Sequence, residues 1–281
     1  MLHDEGTLTT PDSLTIYHQS WLPDVQPKAV VLLLHGLAEH SGRYAHVAKA
    51  LTDSGYAAHT LDLRGHGKSD GKRTYVRSYD QYQADILQFR KLIELQHREL
   101  PLFVLGHSMG GNLALGHVLD HQAGVRGLVL SAPALVAGAS LSPAKIRLAK
   151  LVGRVAPGLR PEALSSDAIS RDRAVVEAYR ADPLVFNGKI TAGVAAALLR
   201  TMDTFPTRYA ELTLPILLQH GTADALADIS GTRALEAAAV NAKVTSHYYD
   251  GLYHEIFNEP EQAAVLADTI AWLDEIAIAG G

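Results

Sequence analysis

Apolar and polar positions along the chain alternate between two kinds of segment. Short, mainly apolar runs recur at Ala29–Leu34 (AVVLLL), Ala57–Leu61 (AAHTL), Leu102–Leu105 (LFVL), Gly127–Ser131 (GLVLS) and Pro215–Gln219 (PILLQ), and Lys243–Tyr249 (KVTSHYY) is a further, more polar strand candidate. Runs of this length, bounded by Gly or Pro, predict strands buried on both faces. Leu14–Trp21 alternates in part and predicts an earlier strand. Between the runs lie stretches with helical spacing. Arg43–Ser54 carries Val47, Ala48 and Leu51 on one face and stops at Gly55. Ser78–Leu100 lines up Tyr82, Ile86, Phe89 and Ile93. Asn112–His121, Ile229–Ala239 and Pro260–Ile278 follow. Strands alternating with helices predict an α/β fold, a mostly parallel sheet with helices on both faces.

The alternation lapses from about Ala137 to Tyr209. Helical patches are punctuated there by Pro143, Pro157, Pro161, Pro183 and Pro206, with no convincing strand. The expectation is a helical cap, residues 137–209, inserted into a core made of 1–136 and 210–281. Within it, Leu148, Leu151, Val152 and Val155 share one helical face, while Arg147, Lys150 and Arg154 lie around another. Basic residues outnumber acidic ones from Pro143 to Arg171, in a chain of formal net charge −5. Such a segment either packs its apolar face on the core or rests weakly on an anionic lipid surface near the pocket entrance.

Composition narrows the classes. The 281 residues suffice for a large core. The acidic balance argues against a nucleic-acid partner. The absence of cysteine excludes disulfides, thiolate catalysis and Cys-ligated metals. The N-terminus lacks a basic segment followed by an apolar one, and no run approaches the length of a membrane span. A cytoplasmic protein, at most peripheral to a membrane, is expected. Oligomeric state stays open.

The candidate chemistry starts at Gly106-His107-Ser108-Met109-Gly110. It follows a predicted strand and precedes a predicted helix, the context of the G-x-S-x-G nucleophile elbow. The chain must reverse sharply at Ser108, and side chains two residues to either side would clash, which accounts for Gly106 and Gly110. A serine hydroxyl needs a base, and the base needs an orienting acid. In this arrangement the order is Ser, acid, His, with acid and His on later strand-end loops. Of the downstream histidines, His247 lies inside a strand and His220 has no suitable acid after it. His254 follows the last strand and is the expected base. Asp224 is the preferred acid, with Asp228, four residues on, either the alternative or a helix cap. The oxyanion donors are expected to be the backbone N–H groups of Met109 and Leu37. Gly67-Lys68-Ser69 fails as a phosphate loop because Asp62 stands where it needs Gly. His254-Glu255-Ile256-Phe257-Asn258 fails as a zinc motif because Asn258 replaces the second His. No metal, nucleotide or other cofactor is expected.

The stretches HGLAEHSGRY (35–44), LDLRGHGKSDGKR (61–73), GHSMGG (106–111), LSAPAL (130–135), AISRDRAVVEAYRADPLV (168–185), LLQHGTADAL (217–226) and GLYHEIFNEPE (251–261) span most of the chain. Together they resemble the monoacylglycerol lipases, particularly the bacterial ones, within the serine-aminopeptidase and lysophospholipase-like branch of the α/β-hydrolases. The resemblance implies an α/β-hydrolase fold with Ser108 as nucleophile, Asp224 as acid and His254 as base, and Leu37 and Met109 as oxyanion donors. It implies cleavage of monoacylglycerol to fatty acid and glycerol. It also places Glu39 and Arg43 near the glycerol end of the pocket, where they either bind substrate or order their own loop. Phe257 stands where the mammalian enzyme has a second histidine, so contacts to glycerol are expected to differ. Two alternatives stay open: a broader carboxylesterase or lysophospholipase, and a non-catalytic hydrolase-fold binding protein. A complete Ser, Asp and His set argues against the second.

Overall fold

A computed structural model of the chain describes residues 1–137, 142–163 and 165–278. Its elements, in order, are β1 (Leu2–Thr9), β2 (Thr15–Leu22), β3 (Ala29–Leu34), α1 (Ala45–Asp53), β4 (Tyr56–Leu61), α2 (Tyr79–Gln96), β5 (Leu102–His107), α3 (Met109–Asp120) and β6 (Val125–Ser131). The inserted stretch holds α4 (Pro143–Val155), β7 (Glu162–Ala163), α5 (Arg173–Ala181), β8 (Lys189–Ile190) and α6 (Ala192–Thr204). The chain then returns through β9 (Ile216–Gly221), α7 (Ile229–Ala238), β10 (Val244–Tyr249) and α8 (Gln262–Ile278).

Eight strands form one sheet in the order β1-β2-β4-β3-β5-β6-β9-β10. From β4 to β10 neighbours run parallel, whereas β2 is antiparallel to both β1 and β4. Every residue of β3, β4, β5 and β9 is buried, which is why these strands are mainly apolar and show no strict alternation. Along β3, Val30, Leu32 and Leu34 join a core with α2 and α3, while Val31 and Leu33 join one with α1 and α8. Each such side chain contributes roughly 1.5–3 kcal/mol by leaving water. The register is therefore strongly held, because a one-residue slip would exchange the two faces. α2 starts at a capping box between Ser78 and Gln81, which satisfies backbone donors the first turn leaves free.

Strands β3 and β5 are neighbours, yet α1 lies on one face of the sheet and α3 on the other. Their connections depart in opposite directions and open a crevice at the carboxyl ends of the strands.

Three expectations change and one open alternative is decided. β1 was not foreseen; its residues are mostly exposed, so no hydrophobic pattern marks it. Inside the inserted stretch, β7 and β8 form a two-residue antiparallel pairing, too short to leave a periodicity. The first predicted helix begins with a 3-10 turn at Ser41–Tyr44 and is regular only from Ala45. Finally, α4 does not turn its apolar face inward. Leu148, Leu151 and Val155 are 60%, 56% and 71% exposed, and no side chain of α4 belongs to a core cluster among the described residues. The helix instead lies on α6 at Gly153, whose missing side chain makes room for Ala192 and Ala196.

Among the described residues, no helix is long and apolar enough to cross a membrane.

Candidate active site

Ser108 is the single residue between β5 and α3, with φ 55° and ψ −118°. A non-glycine residue held there costs on the order of 1–3 kcal/mol. Three backbone hydrogen bonds hold it. The Ser108 N–H donates to Ser131 O at 3.0 Å, and the Ser108 carbonyl accepts from Asn112 N–H at 3.0 Å and Ala134 N–H at 3.1 Å. A Cβ on Gly106 would collide with the Gly110 carbonyl, and one on Gly110 with the carbonyls of Leu34 and His35. The glycines thus allow β3, β5 and α3 to approach closely enough to form the elbow.

His254 lies in the loop after β10, and its Nδ1 is 2.7 Å from Asp224 Oδ2. Asp224 lies in the loop after β9. Its other oxygen accepts the N–H groups of Leu226 at 2.7 Å and Ala227 at 3.0 Å. Burial opposes ionisation of Asp224, but His254, His220 and these donors outweigh it and hold the carboxyl far below the usual range. Burial likewise opposes the His254 imidazolium, and the facing Asp224 carboxylate more than offsets that, raising its pKa above 6.5. Asp228 caps α7, accepting the Ser230 N–H at 2.9 Å, and is engaged away from His254.

Ser108, His254, Leu37 and Met109 all line one cavity of about 280 Å³. Ser108 Oγ and His254 share its wall without a hydrogen bond between them, a contact that in unliganded sites commonly tightens on substrate binding. Met109 is the first residue of α3, so its N–H is among those a helix leaves unpaired. The cavity has an apolar side formed by Ala195, Leu198, Leu199 and Met202 of α6 with Val136, and a polar side at Glu39, Tyr179 and Glu255.

Glu39 and Arg43 belong to a buried network. Glu39 Oε1 accepts the Gly36 N–H at 2.6 Å and the Tyr44 hydroxyl at 2.7 Å. Arg43 donates to Glu39 Oε2 at 2.5 Å and to both oxygens of Glu255, at 2.7 and 2.6 Å. Its guanidinium stacks 4.6 Å from the Tyr179 ring centroid. Despite burial, the Arg43 charge keeps Glu39 below the ordinary carboxylate range. Glu39 lines the cavity, whereas Arg43 is not among its lining residues. The pair ties the loop after β3 to the loop carrying His254.

The structure adds residues to which the sequence assigned no role in the site, among them His220, set aside there as a base. His220 Nε2 lies 3.1 Å from Asp224 Oδ2 and 3.1 Å from Ala227 O, with its Nδ1 2.8 Å from Thr232 Oγ1. As an Nε2–H tautomer it donates to Asp224 and accepts from Thr232. His107 packs its ring 4.7 Å from that of His254. Burial drives the His107 pKa down to about 3, so it presents a neutral face to His254. A histidine four residues before the acid was the available signal for His220. For Glu255 and Tyr179 no local signal exists, because their partners are far away in sequence.

The elbow at the crossover of the sheet, the buried Asp–His pair and the strand order define an α/β-hydrolase. Comparison with known proteins refines this. Residues 25–261 match the family model described as "Serine aminopeptidase, S33", and the chain belongs to that family. It is 43% identical over 261 residues to a monoacylglycerol lipase of Mycolicibacterium smegmatis, covering 92% of each chain. It is 31% identical over 277 residues to the rat monoglyceride lipase, covering 97% of this chain and 91% of the relative. Among solved structures, a Paleococcus ferrophilus monoacylglycerol lipase superposes with a TM-score of 0.84 at 30% identity, over 93% of this chain and 99% of that one.

Proposed function

We propose that this protein hydrolyses the ester bond of monoacylglycerols, releasing fatty acid and glycerol through an acyl-enzyme on Ser108. The observation that carries the reading is the two-sided cavity. An apolar wall from α6 suits an acyl chain, and the polar side beside His254 suits a small hydroxylated alcohol. The similarity to monoacylglycerol lipases in bacteria and rat supports the same substrate.

In this mechanism His254 Nε2 takes the Ser108 proton as Oγ attacks the ester carbonyl. Asp224 holds the Nδ1–H tautomer and stabilises the imidazolium. The N–H groups of Leu37 and Met109 bind the oxyanion, aided by the N-terminus of α3. On collapse the C–O bond to glycerol breaks and His254 protonates the departing oxygen. Water then attacks the acyl-enzyme, giving its proton to His254, and the fatty acid leaves as that proton returns to Ser108. Glu39 and Arg43 shape the alcohol side chiefly by fixing the loops that carry Leu37 and His254.

Residues 137–209 act in this reading as the cap over the acyl side of the cavity. Such a substrate resides in membranes or micelles, and the exposed Leu148, Leu151 and Val155 of α4 suit a lipid–water boundary. No α4 side chain lines the cavity, so this contact would locate the protein on lipid rather than form the tunnel.

The test is a hydrolysis panel of mono-, di- and triacylglycerols and lysophospholipids of matched acyl chain, beside fluorophosphonate labelling. Monoacylglycerol should be the best substrate, and Ser108→Ala should lose labelling and about a million-fold in kcat while staying folded. Faster cleavage of lysophospholipid would shift the reading to a lysophospholipase, and full labelling of another serine would remove Ser108 as nucleophile.

A further inference from the structure

We propose that the cleft between the Lys72–Arg77 loop and the C-terminal end of α4 binds the phosphate of an anionic phospholipid head group, seating the protein on negatively charged membranes. The proposal rests on the reading of α4 as an interfacial helix and adds a specific site to it.

The cleft, of about 660 Å³, is lined by Lys72, Tyr75, Arg77, Arg154, Pro157 and Gly158. Three of the six are cations and none is a carboxylate. Among the described residues, neither Lys72, Arg77 nor Arg154 has an ion-pair partner within 4.0 Å, whereas Lys150 of the same helix is paired with Asp203. Acidic residues outnumber basic ones in this chain, 30 to 25, so three unpaired cations converging without an acid run against its composition. Such a site favours an anion.

The cations stand on an ordered platform. Thr74 is fully buried with φ 50°, its N–H donates to Gly65 O at 3.1 Å, and its carbonyl accepts the Thr191 hydroxyl. Arg160 donates to the Arg73 carbonyl at 2.7 Å. The absence of a side chain at Gly158 leaves room beside Lys72, whose Nζ is 3.4 Å from where a Cβ would stand.

An exposed apolar stripe borders the same cleft along the chain. It starts at Leu148 and Leu151 on α4 and continues through Val155 to Leu159, 55% exposed. Arg154, Pro157 and Gly158 of the cleft interleave with its last two members. An apolar stripe next to converging cations matches the layering of a phospholipid leaflet, with acyl carbon beside phosphate. A soluble anion would satisfy only the cleft, and a nucleic acid would leave the stripe uncovered.

Co-sedimentation of the full chain with vesicles of phosphatidylcholine alone, and of phosphatidylcholine mixed with phosphatidylglycerol, tests this. Wild type should prefer the anionic vesicles. Lys72→Gln, Arg77→Gln and Arg154→Gln together should weaken anionic binding on the order of a hundred-fold, from about five-fold per cation at such a surface. They should leave binding to neutral vesicles, thermal unfolding and hydrolysis of a short soluble ester unchanged. A control removing the same charge elsewhere, Lys145→Gln, Arg147→Gln and Arg173→Gln, should lose far less. Equal losses in the two triple variants, no preference of wild type for anionic vesicles, or calorimetric binding of soluble glycerol phosphate as tight as binding to vesicles would overturn the proposal. Leu148→Ser, Leu151→Ser and Val155→Ser together should weaken binding to both vesicle types. If they do not, the interfacial reading of α4 fails, while the cleft is still judged by the difference between the two vesicles.

Discussion

The two halves of the inserted stretch are built on opposite principles. Around α5, the chain is laced to the loop that carries His254. The Glu255 N–H donates to Ile169 O at 2.7 Å, Ser170 Oγ to Asn258 O at 3.1 Å, and the Arg171 N–H to Glu259 Oε1 at 2.7 Å. The Arg171 guanidinium pairs with buried Glu259 and with Glu261. Tyr179 stacks on Arg43, and the Phe186 N–H donates to Ala38 O at 2.8 Å, beside Leu37. Around α4, by contrast, the helix packs along α6, with a close approach at Gly153, and shows its leucines to solvent. The difference teaches that insertion into a fold does not make a segment peripheral. One half shares backbone hydrogen bonds with the catalytic loops and must keep their geometry. The other packs extensively on α6 and joins none of the core clusters among the described residues.

Four measurements would break or sharpen this comparison. The largest effect should come from the loops that the laced half supports. Asp224→Asn should lower kcat on the order of 10⁴-fold through a mis-oriented histidine. Asp228→Asn should change kcat only a few-fold, since its carboxylate caps α7. The reverse ranking would move the acid. Next, the pH–rate profile should fall on the acid side. His254 must be neutral to accept the serine proton, and its pKa is raised above 6.5 by Asp224. The midpoint of the acid limb in kcat/KM should therefore lie above 6.5, with a tenfold loss per pH unit well below it. A profile flat through this range would contradict the pairing.

Third, Arg171→Ala should strand the buried Glu259 carboxylate. Buried pairs broken on one side cost about 3–5 kcal/mol, and the partial exposure of Arg171 reduces this to roughly 1–3 kcal/mol. The loss, read from denaturant unfolding, should come with a lower kcat because the His254 loop is loosened. Unchanged stability would mean that the lacing is incidental. The smallest effect belongs to α4. The Leu148, Leu151 and Val155 serine variant should stay within about 0.5 kcal/mol of wild-type stability and cleave a short soluble ester normally. A large destabilisation would show that this face is covered in solution.

Much of this was legible in the chain. Mainly apolar runs located most of the parallel strands, because a strand buried on both faces has few polar positions. The elbow was legible because its geometry tolerates only glycine at 106 and 110. Asp224 and His254 followed from strand-end position and order. Exposed β1 left no pattern, and the two residues each of β7 and β8 left none either.

What the sequence by itself determined were features written in local residues: the alternation that makes an α/β sheet, the glycines that permit the strained Ser108, and an amphipathic helix near 145–155. Only the tertiary structure decided which way that helix faces, because an apolar stripe reads the same whether it is covered or bare. It also decided that Arg43 spends its charge on Glu39 and Glu255, that His220 shares the Asp224 carboxylate, and that Lys72 and Arg77 meet Arg154 in one cleft. Each of these depends on groups brought together from distant parts of the chain. Local propensity carries no information about such pairs, and burial and charge assign their roles only once the fold has set their distances.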